Sequence, residues 1–192
     1  MMYERKTNPA RIAKLARDLR FRLGESKVVD DPDLLVELSH DESQARPAMP
    51  DLAVRAGSAE DVRAVLELAE KHEVPCLARG GGTGKSGGAI PVCGGVVIDL
   101  RKLNRIIEID RENLIAVVEP GVVLKALEDA VEAEGLFYPP DPNSLETCTL
   151  GGNAAHNAGG PRAFKYGVTR EYVLGARTAL MGGRELRVGK RT

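Results

Sequence analysis

The residues with the clearest chemical potential form a glycine-rich stretch at 78–89, with the sequence ARGGGTGKSGGA. It contains six glycines, two hydroxyl and two cationic side chains, and no large apolar side chain. Glycine accepts positive φ and lets a ligand approach the main chain, so several backbone N–H groups can point at one anion. The stretch therefore predicts a loop that cradles a phosphate or pyrophosphate. A flexible linker is the alternative, but apolar runs flank the stretch closely.

Two known phosphate-binding motifs come close to this stretch. Residues 82–87 satisfy G-x-G-x-x-G, and residues 84–86 match the end of a Walker A loop, although Arg79 stands where that loop requires its first glycine. Both motifs need a helix directly after the loop. Four glycines and a proline within 87–95 disfavour a helix there, and an apolar β-branched run follows. The loop is thus predicted to join two strands, with Lys85 as a cation at its rim.

A second glycine-rich segment covers residues 147–160, with the sequence TCTLGGNAAHNAGG. Its small residues let the backbone pack against a flat ligand, while Asn and Thr side chains supply hydrogen-bond donors and acceptors. The two segments lie about seventy residues apart in the chain. Together they could hold the two ends of one extended dinucleotide.

Five stretches in register carry a specific resemblance. They resemble the FAD-binding domain of the vanillyl-alcohol-oxidase-type (PCMH-type) flavoproteins, and within it the branch of the glycolate oxidases and D-lactate dehydrogenases. Together they span about residues 50–190. The stretches are RGGGTG at 79–84 with SGG at 86–88, VEPG at 118–121, YPPDP at 138–142, TLGGN at 149–153 with NAGG at 157–160, and KYGVTR at 165–170.

The resemblance implies a site for FAD that extends between two lobes. It assigns Pro140 and Asp141 to the region near the flavin or the ribityl chain. It implies no catalytic residue and no metal ligand within this chain. The cofactor-binding residues that it implies are Arg79, Gly80, Gly81, Gly82, Thr83, Gly84, Ser86, Pro140, Asp141, Thr149, Gly152, Asn157, Gly159, Gly160 and Gly167.

Two of the polar residues near this predicted site have alternative roles. Arg79 is either a counter-ion of the pyrophosphate or a brace that supports the loop from outside. His156 is a candidate base or a candidate covalent flavin link. Related enzymes that attach flavin carry their histidine where this chain has residues 81–83, Gly-Gly-Thr. Non-covalent FAD is therefore predicted.

Composition limits the possible functions. The chain has 192 residues, 27 Lys plus Arg and 28 Asp plus Glu, for a formal net charge of −1. This balance argues against a nucleic-acid binder, because phosphate attraction requires a basic surface. No apolar run approaches the length of a transmembrane span and no signal-peptide pattern is visible. Three separated cysteines fit a reducing cytoplasm, with peripheral attachment to the inner membrane as a further possibility.

The pattern of elements predicts an α+β fold with two lobes. Residues 1–45 are predicted to form an N-terminal helical extension, in which the basic helix Pro9–Leu23 packs on the domain or contacts an anionic membrane or a partner. Residues 46–105 are predicted to form a small βαβ-containing parallel lobe with the pyrophosphate loop. Residues 106–192 are predicted to form a larger, mainly antiparallel lobe with helices, incomplete at its C-terminus and without the catalytic cap domain.

The resemblance implies that the full-length protein oxidises a D-2-hydroxy acid of the glycolate or D-lactate type, by hydride transfer to flavin N5. The electron acceptor would be a quinone, a cytochrome, an electron-transfer flavoprotein or oxygen, and other subunits could take part. This piece alone is expected to be inactive. The alternatives are a non-catalytic FAD-binding or electron-transfer subunit, an NTPase that uses residues 84–86, and a reductase of nucleotide-sugar enolpyruvate.

Overall fold

The computed structural model describes residues 7–190 of the chain. Within that range it contains six α-helices and eight β-strands. The helices are α1 (Pro9–Leu23), α2 (Pro32–Leu35), α3 (Ala59–Lys71), α4 (Leu124–Ala133), α5 (Leu150–His156) and α6 (Ala163–Tyr166). The strands are β1 (Val28–Val29), β2 (Leu52–Arg55), β3 (Cys76–Arg79), β4 (Val96–Asp99), β5 (Ile106–Asp110), β6 (Ile115–Val118), β7 (Gly175–Ala179) and β8 (Glu185–Gly189).

The first lobe is built on a four-stranded sheet with the order β1-β2-β4-β3. Strands β2, β4 and β3 are parallel and in register, while β1 pairs antiparallel with β2 at the edge. The predicted βαβ unit is confirmed in β2, α3 and β3, but β4 lies between its two strands. Because parallel strands end at the same edge of a sheet, the loops after β2, β3 and β4 share that edge.

Both faces of this sheet are covered. On one face α1 and α3 contribute Leu15, Leu19 and Val65, which are fully buried against the sheet residues Val54 and Ile98. The smaller cluster on the other face contains Val29, Leu35, Leu38, Ala53 and Val97. Strand β4 is therefore buried on both sides, as its continuous apolar sequence predicts.

The second lobe contains two antiparallel strand pairs, β5–β6 and β7–β8. Helix α4 packs on the first pair through Leu127 and Val131, together with Val122, which lies two residues before the helix. The turn of the second pair lies against α3, where Gly183 faces the carbonyl of Arg63. This turn joins the second lobe to the first.

Several local predictions are confirmed. Helix α1 has the predicted bounds, and Ser58 caps α3 by accepting a hydrogen bond from the backbone N–H of Asp61 at 3.1 Å. His72, predicted to be structural, lies 2.9 Å from Asp18 on α1.

Two parts of the chain differ from the predicted elements. The N-terminal segment 1–45 contributes strand β1 to the sheet of the first lobe. The predicted strand 172–180 is a strand only at Gly175–Ala179, because residues 169–172 form a 3₁₀ turn. Leu174 and Val173 of that region are 53% and 43% exposed, which agrees with the expectation of apolar surface there.

Candidate functional site

The glycine loop lies at the carboxyl edge of the first sheet, directly after β3. Residues 80–95 contain neither helix nor strand and lead into β4. This confirms the prediction that the loop joins two strands. No helix N-terminus follows the loop, so it lacks the feature that both the Rossmann and the Walker A motifs use to bind phosphate.

The second glycine-rich segment meets this loop. A Cβ atom placed on Gly80 would overlap the side chain of Thr149, and one on Gly81 would overlap the carbonyl oxygen of Thr147. Glycine is required at these positions because the two main chains approach each other without room for a side chain. The structure thus brings together two segments that the sequence separates widely.

The two segments form one wall of a large cleft. The cleft has a volume of about 2890 Å³ and is lined by residues of both lobes. Its size suits a large ligand rather than a small anion. The predicted cofactor residues that line it are Arg79, Gly80, Gly81, Gly82, Thr83, Gly84, Ser86, Thr149, Gly152, Gly159 and Gly160.

The other four predicted cofactor residues do not line the cleft. Pro140 is fully buried, and Asp141 accepts a 3.0 Å hydrogen bond from the backbone N–H of Arg162. Asn157 ends α5 in the left-handed conformation and accepts a bond from the backbone N–H of Arg170. Gly167 ends α6 at φ 81°. Direct cofactor contact remains a prediction for these four residues and for the eleven that line the cleft.

Thr149 provides a specific test of whether a cofactor fits. Its hydroxyl oxygen is buried and has no hydrogen-bond partner among residues 7–190. A buried hydroxyl without a partner is costly, so a polar ligand atom at this point would satisfy it. The residue lies at the junction of the two glycine segments, where its hydroxyl packs directly against Gly80. The residues present therefore fit a phosphate-containing cofactor.

Arg79 has the geometry of a brace. Its side chain is buried, and its guanidinium donates hydrogen bonds to the carbonyl oxygens of His40 (2.8 Å), Glu37 (3.1 Å) and Ala89 (3.2 Å). These bonds tie the loop to the chain before the first lobe. Lys85 forms an exposed ion pair with Glu42, which agrees with its predicted position at the rim.

His156 lies at the C-terminal end of α5 and is exposed. Its ring occupies the space that a side chain at Gly88 would need. The histidine therefore connects the second segment to the far end of the glycine loop. The existence of α5 itself was not predicted, because two adjacent glycines and an asparagine have poor helix propensity.

An aromatic group in the second lobe was also missed. Phe137 and Tyr166 stack edge to face with ring centroids 5.7 Å apart, and Tyr138 and Tyr172 do the same at 5.6 Å. Arg162 lies over the Phe137 ring at 5.4 Å. Burial raises the pKa of Tyr138 to about 12, so this phenol stays neutral. Only their clustering in residues 137–172 signals this group in the sequence.

Fold and site together define a dinucleotide-binding domain of two lobes, and comparison with known proteins gives its family. The model of the FAD binding domain family matches residues 50–189. This chain belongs to that family, and FAD is its cofactor. The predicted resemblance to PCMH-type flavoproteins is confirmed.

Two curated relatives and one solved structure illustrate the relationship. The glycolate oxidase subunit GlcD of Bacillus subtilis is 43% identical over 151 residues, which are 79% of this chain and 32% of that protein. A D-lactate dehydrogenase of Anaerostipes hadrus is 39% identical over 168 residues, 87% of this chain and 35% of the relative. The structure of p-cresol methylhydroxylase with substrate bound has a TM-score of 0.82 at 27% identity, covering 95% of this chain and 36% of that one.

The chain spans about a third of the length of the curated relatives it matches. Across residues 7–190, none of the helices combines the length and apolar character needed to cross a bilayer.

Proposed function

We propose that this chain is the FAD-binding portion of an oxidoreductase that oxidises a D-2-hydroxy acid of the glycolate or D-lactate type. The observation that carries the proposal is the contact between the two glycine segments, where the Thr149 hydroxyl is buried and has no hydrogen-bond partner among residues 7–190. The names of the two curated relatives support the substrate class.

In this proposal the backbone N–H groups of residues 80–84 and the hydroxyls of Thr83 and Ser86 hold the pyrophosphate. The hydroxyl of Thr149 donates to the cofactor from the opposite segment. When bound, FAD supplies a hydride acceptor at its N5 atom. The residues of this chain would bind and orient the cofactor.

We further propose that the cofactor is held without a covalent link. Residues 81–83 offer no nucleophilic ring nitrogen, and Gly81 is too close to the carbonyl of Thr147 to carry any side chain. His156 contacts the far end of the loop rather than this position. Acid precipitation of the protein loaded with FAD is expected to release the flavin into the supernatant.

The proposal is tested in two stages. FAD is titrated into the purified chain, and binding is followed by quenching of flavin fluorescence. The loaded protein is then mixed anaerobically with D-lactate, L-lactate or glycolate, and bleaching of the flavin absorbance is recorded. A protein extended to the length of the curated relatives is tested in parallel. Bleaching by the D-acid but not the L-acid supports the proposed substrate class.

The alternative is a non-catalytic FAD-binding or electron-transfer subunit. Tight FAD binding without bleaching by any hydroxy acid, in both the short and the extended protein, would favour it. Absence of FAD binding in both proteins would overturn the cofactor assignment as well.

A further inference from the structure

We propose that residues 37–45, which precede the matched family domain, form a clamp that holds the glycine loop in the shape that FAD requires. The proposal rests on the proposed cofactor site and assigns positioning residues to it. Four contacts, made by different chemical groups, support it.

The first contact is made by Arg79. Its guanidinium reaches back from the start of the loop to the carbonyls of Glu37 and His40, and also reaches Ala89 at the loop's far end. One side chain therefore joins the clamp to both ends of the loop. Gly82, at φ 73°, packs directly on this guanidinium, and a Cβ atom there would overlap it. The loop is thus folded around the arginine.

The second contact is made by Asp41, which is only 7% exposed. One carboxylate oxygen accepts the backbone N–H of Ser43 at 3.0 Å, and the other accepts the backbone N–H of Ala89 at 3.3 Å. A Cβ atom on Gly84 would lie 3.5 Å from that second oxygen. The carboxylate therefore binds the end of the loop and lies close to its middle.

The third contact is apolar. Gly87, at φ 81°, lies against Ala45, so that a Cβ atom there would be 3.3 Å from the alanine methyl group. The Ser43 hydroxyl fixes this turn of the clamp by accepting the backbone N–H of Ala45 at 3.1 Å. The clamp thus lies close to the loop at an apolar group as well as at its charged and polar groups.

The fourth contact anchors the clamp to the sheet. Arg101 binds Asp99 at the end of β4 at 2.8 Å and Glu37 at 2.5 Å. Asp99 is buried and pairs in register with Arg79 across the two strands. The clamp is therefore attached to the same sheet edge from which the loop emerges.

The clamp matters because the loop is rich in glycine. Such a chain loses much conformational entropy when a ligand fixes it, and that loss weakens binding. A loop that is already held in shape avoids part of this cost. Asp41 is buried and does not line the cleft, so its part in the clamp needs no contact with the cofactor.

The test uses the chain with Asp41→Ala, Asp41→Asn and Arg79→Lys substitutions. Arg79→Lys keeps the charge but loses the fork of donors that reaches three carbonyls. Asp33→Asn, an exposed carboxylate on α2, is the matched control. Each protein is checked for folding by circular dichroism, titrated with FAD by fluorescence quenching, and measured for amide hydrogen exchange in residues 80–89.

We expect the three clamp variants to bind FAD about tenfold more weakly or worse, and to exchange the loop amides faster without FAD. The control is expected to match the wild type in both measurements. Unchanged loop exchange and unchanged FAD affinity in Asp41→Ala and Arg79→Lys would overturn the clamp. If Asp41→Ala does not fold, the loop exchange and FAD affinity of Asp41→Asn and Arg79→Lys decide the question.

The two proposals fail in different ways. If the wild type does not bind FAD, the cofactor site is wrong, whereas faster loop exchange in the variants would still show the clamp. If the wild type binds FAD and the variants exchange and bind as it does, only the clamp is wrong.

Discussion

Single residues decide whether the glycine loop can meet the second segment. Gly80 faces the side chain of Thr149, and Gly81 faces the carbonyl of Thr147. One added methyl group at either glycine would push the two segments apart. Not every glycine has such a close neighbour. At Gly57, for example, an added Cβ atom would make an ordinary 3.6 Å contact with Asp61.

The first prediction compares these two kinds of glycine. Gly81→Ala is expected to lower FAD affinity by about tenfold or more, because the methyl group would push the loop away from residues 147–149. Gly57→Ala is expected to bind FAD like the wild type. Fluorescence titration measures both, and equal affinity of the two variants would contradict the proposed contact.

The second prediction concerns Glu128 on α4. Its side chain is buried, one carboxylate oxygen has no hydrogen-bond partner within residues 7–190, and burial raises the pKa of the carboxyl. A raised carboxyl pKa in the fold means that the protonated form is favoured there. Its contribution to stability is therefore full below the ordinary Glu pKa of about 4.3 and is lost as pH rises through the folded-state pKa.

Glu128→Gln imitates the protonated carboxyl and is expected to remove this part of the pH dependence. The variant should melt at a higher temperature than the wild type near neutral pH, and the gap should close toward about pH 4. Glu112→Gln, in an exposed turn, is the control and should follow the wild type. A gap that is the same at all pH values would argue that packing, rather than ionisation, is responsible.

At the scale of elements, the sequence predicted much of the structure. Helix α1 has the predicted bounds because its apolar spacing and its end at Gly24 agree with one another. The loop between β3 and β4 was predicted because glycine and proline exclude a helix there. These elements are governed by local propensity, which a sequence displays directly.

Helix α5 and the clamp were missed for a different reason. The backbone N–H groups of Leu150 and Gly151 donate to the carbonyls of Val122 and Pro120, so tertiary contacts start a helix that propensity disfavours. Asp41 is one charged residue in a polar run, and only the fold shows that its carboxylate is buried against Ala89. Long-range contacts of this kind produce no periodic residue pattern from which a sequence could predict them.

The third prediction distinguishes the two adjacent glycines of α5. Gly151→Ala gains about 1 kcal/mol of helix propensity, but its methyl group would lie 2.6 Å from the Pro120 side chain, an overpacking that costs about 1–3 kcal/mol. Gly152→Ala meets only the Thr149 hydroxyl at 3.3 Å. Thermal denaturation should therefore show Gly151→Ala as the less stable variant.

Gly152 lines the cleft, so its substitution has a second expected effect. Gly152→Ala should keep or raise the melting temperature while weakening FAD binding. If it binds FAD as tightly as the wild type, Gly152 does not approach the cofactor, and its predicted role is wrong.

At the scale of the whole molecule, the cleft depends on how the β7–β8 pair is held against the first lobe. In its turn, Gly183 lies close to the carbonyl of Arg63, and Gly182 lies close to the carboxylate of Glu70. Arg63 and Glu70 are both residues of α3. Strand β7 also lines the cleft, as does α3 near Arg63. This glycine turn is therefore one of the contacts that hold β7 against α3 beside the proposed cofactor site.

The fourth prediction separates this docking from simple backbone strain. Gly183 and Gly135 have almost the same φ, 72° and 73°. The left-handed conformation therefore destabilises an alanine at either position by roughly 1 kcal/mol. Only Gly183 has a neighbour, because a Cβ atom there would be 2.9 Å from the Arg63 carbonyl, whereas Gly135 has nothing within 4 Å. Gly183→Ala should therefore lose more stability than Gly135→Ala.

The loss of stability in Gly183→Ala should also be detectable locally, in the β7–β8 pair. When the turn no longer packs on α3, the β7–β8 pair becomes more mobile. Trypsin should therefore cleave after Arg184 and Arg187 faster in Gly183→Ala than in Gly135→Ala or the wild type. FAD affinity should fall in parallel, because the cleft loses the position of one side. Equal cleavage rates and equal melting temperatures in the two variants would mean that the turn is passive and that other contacts fix the width of the cleft.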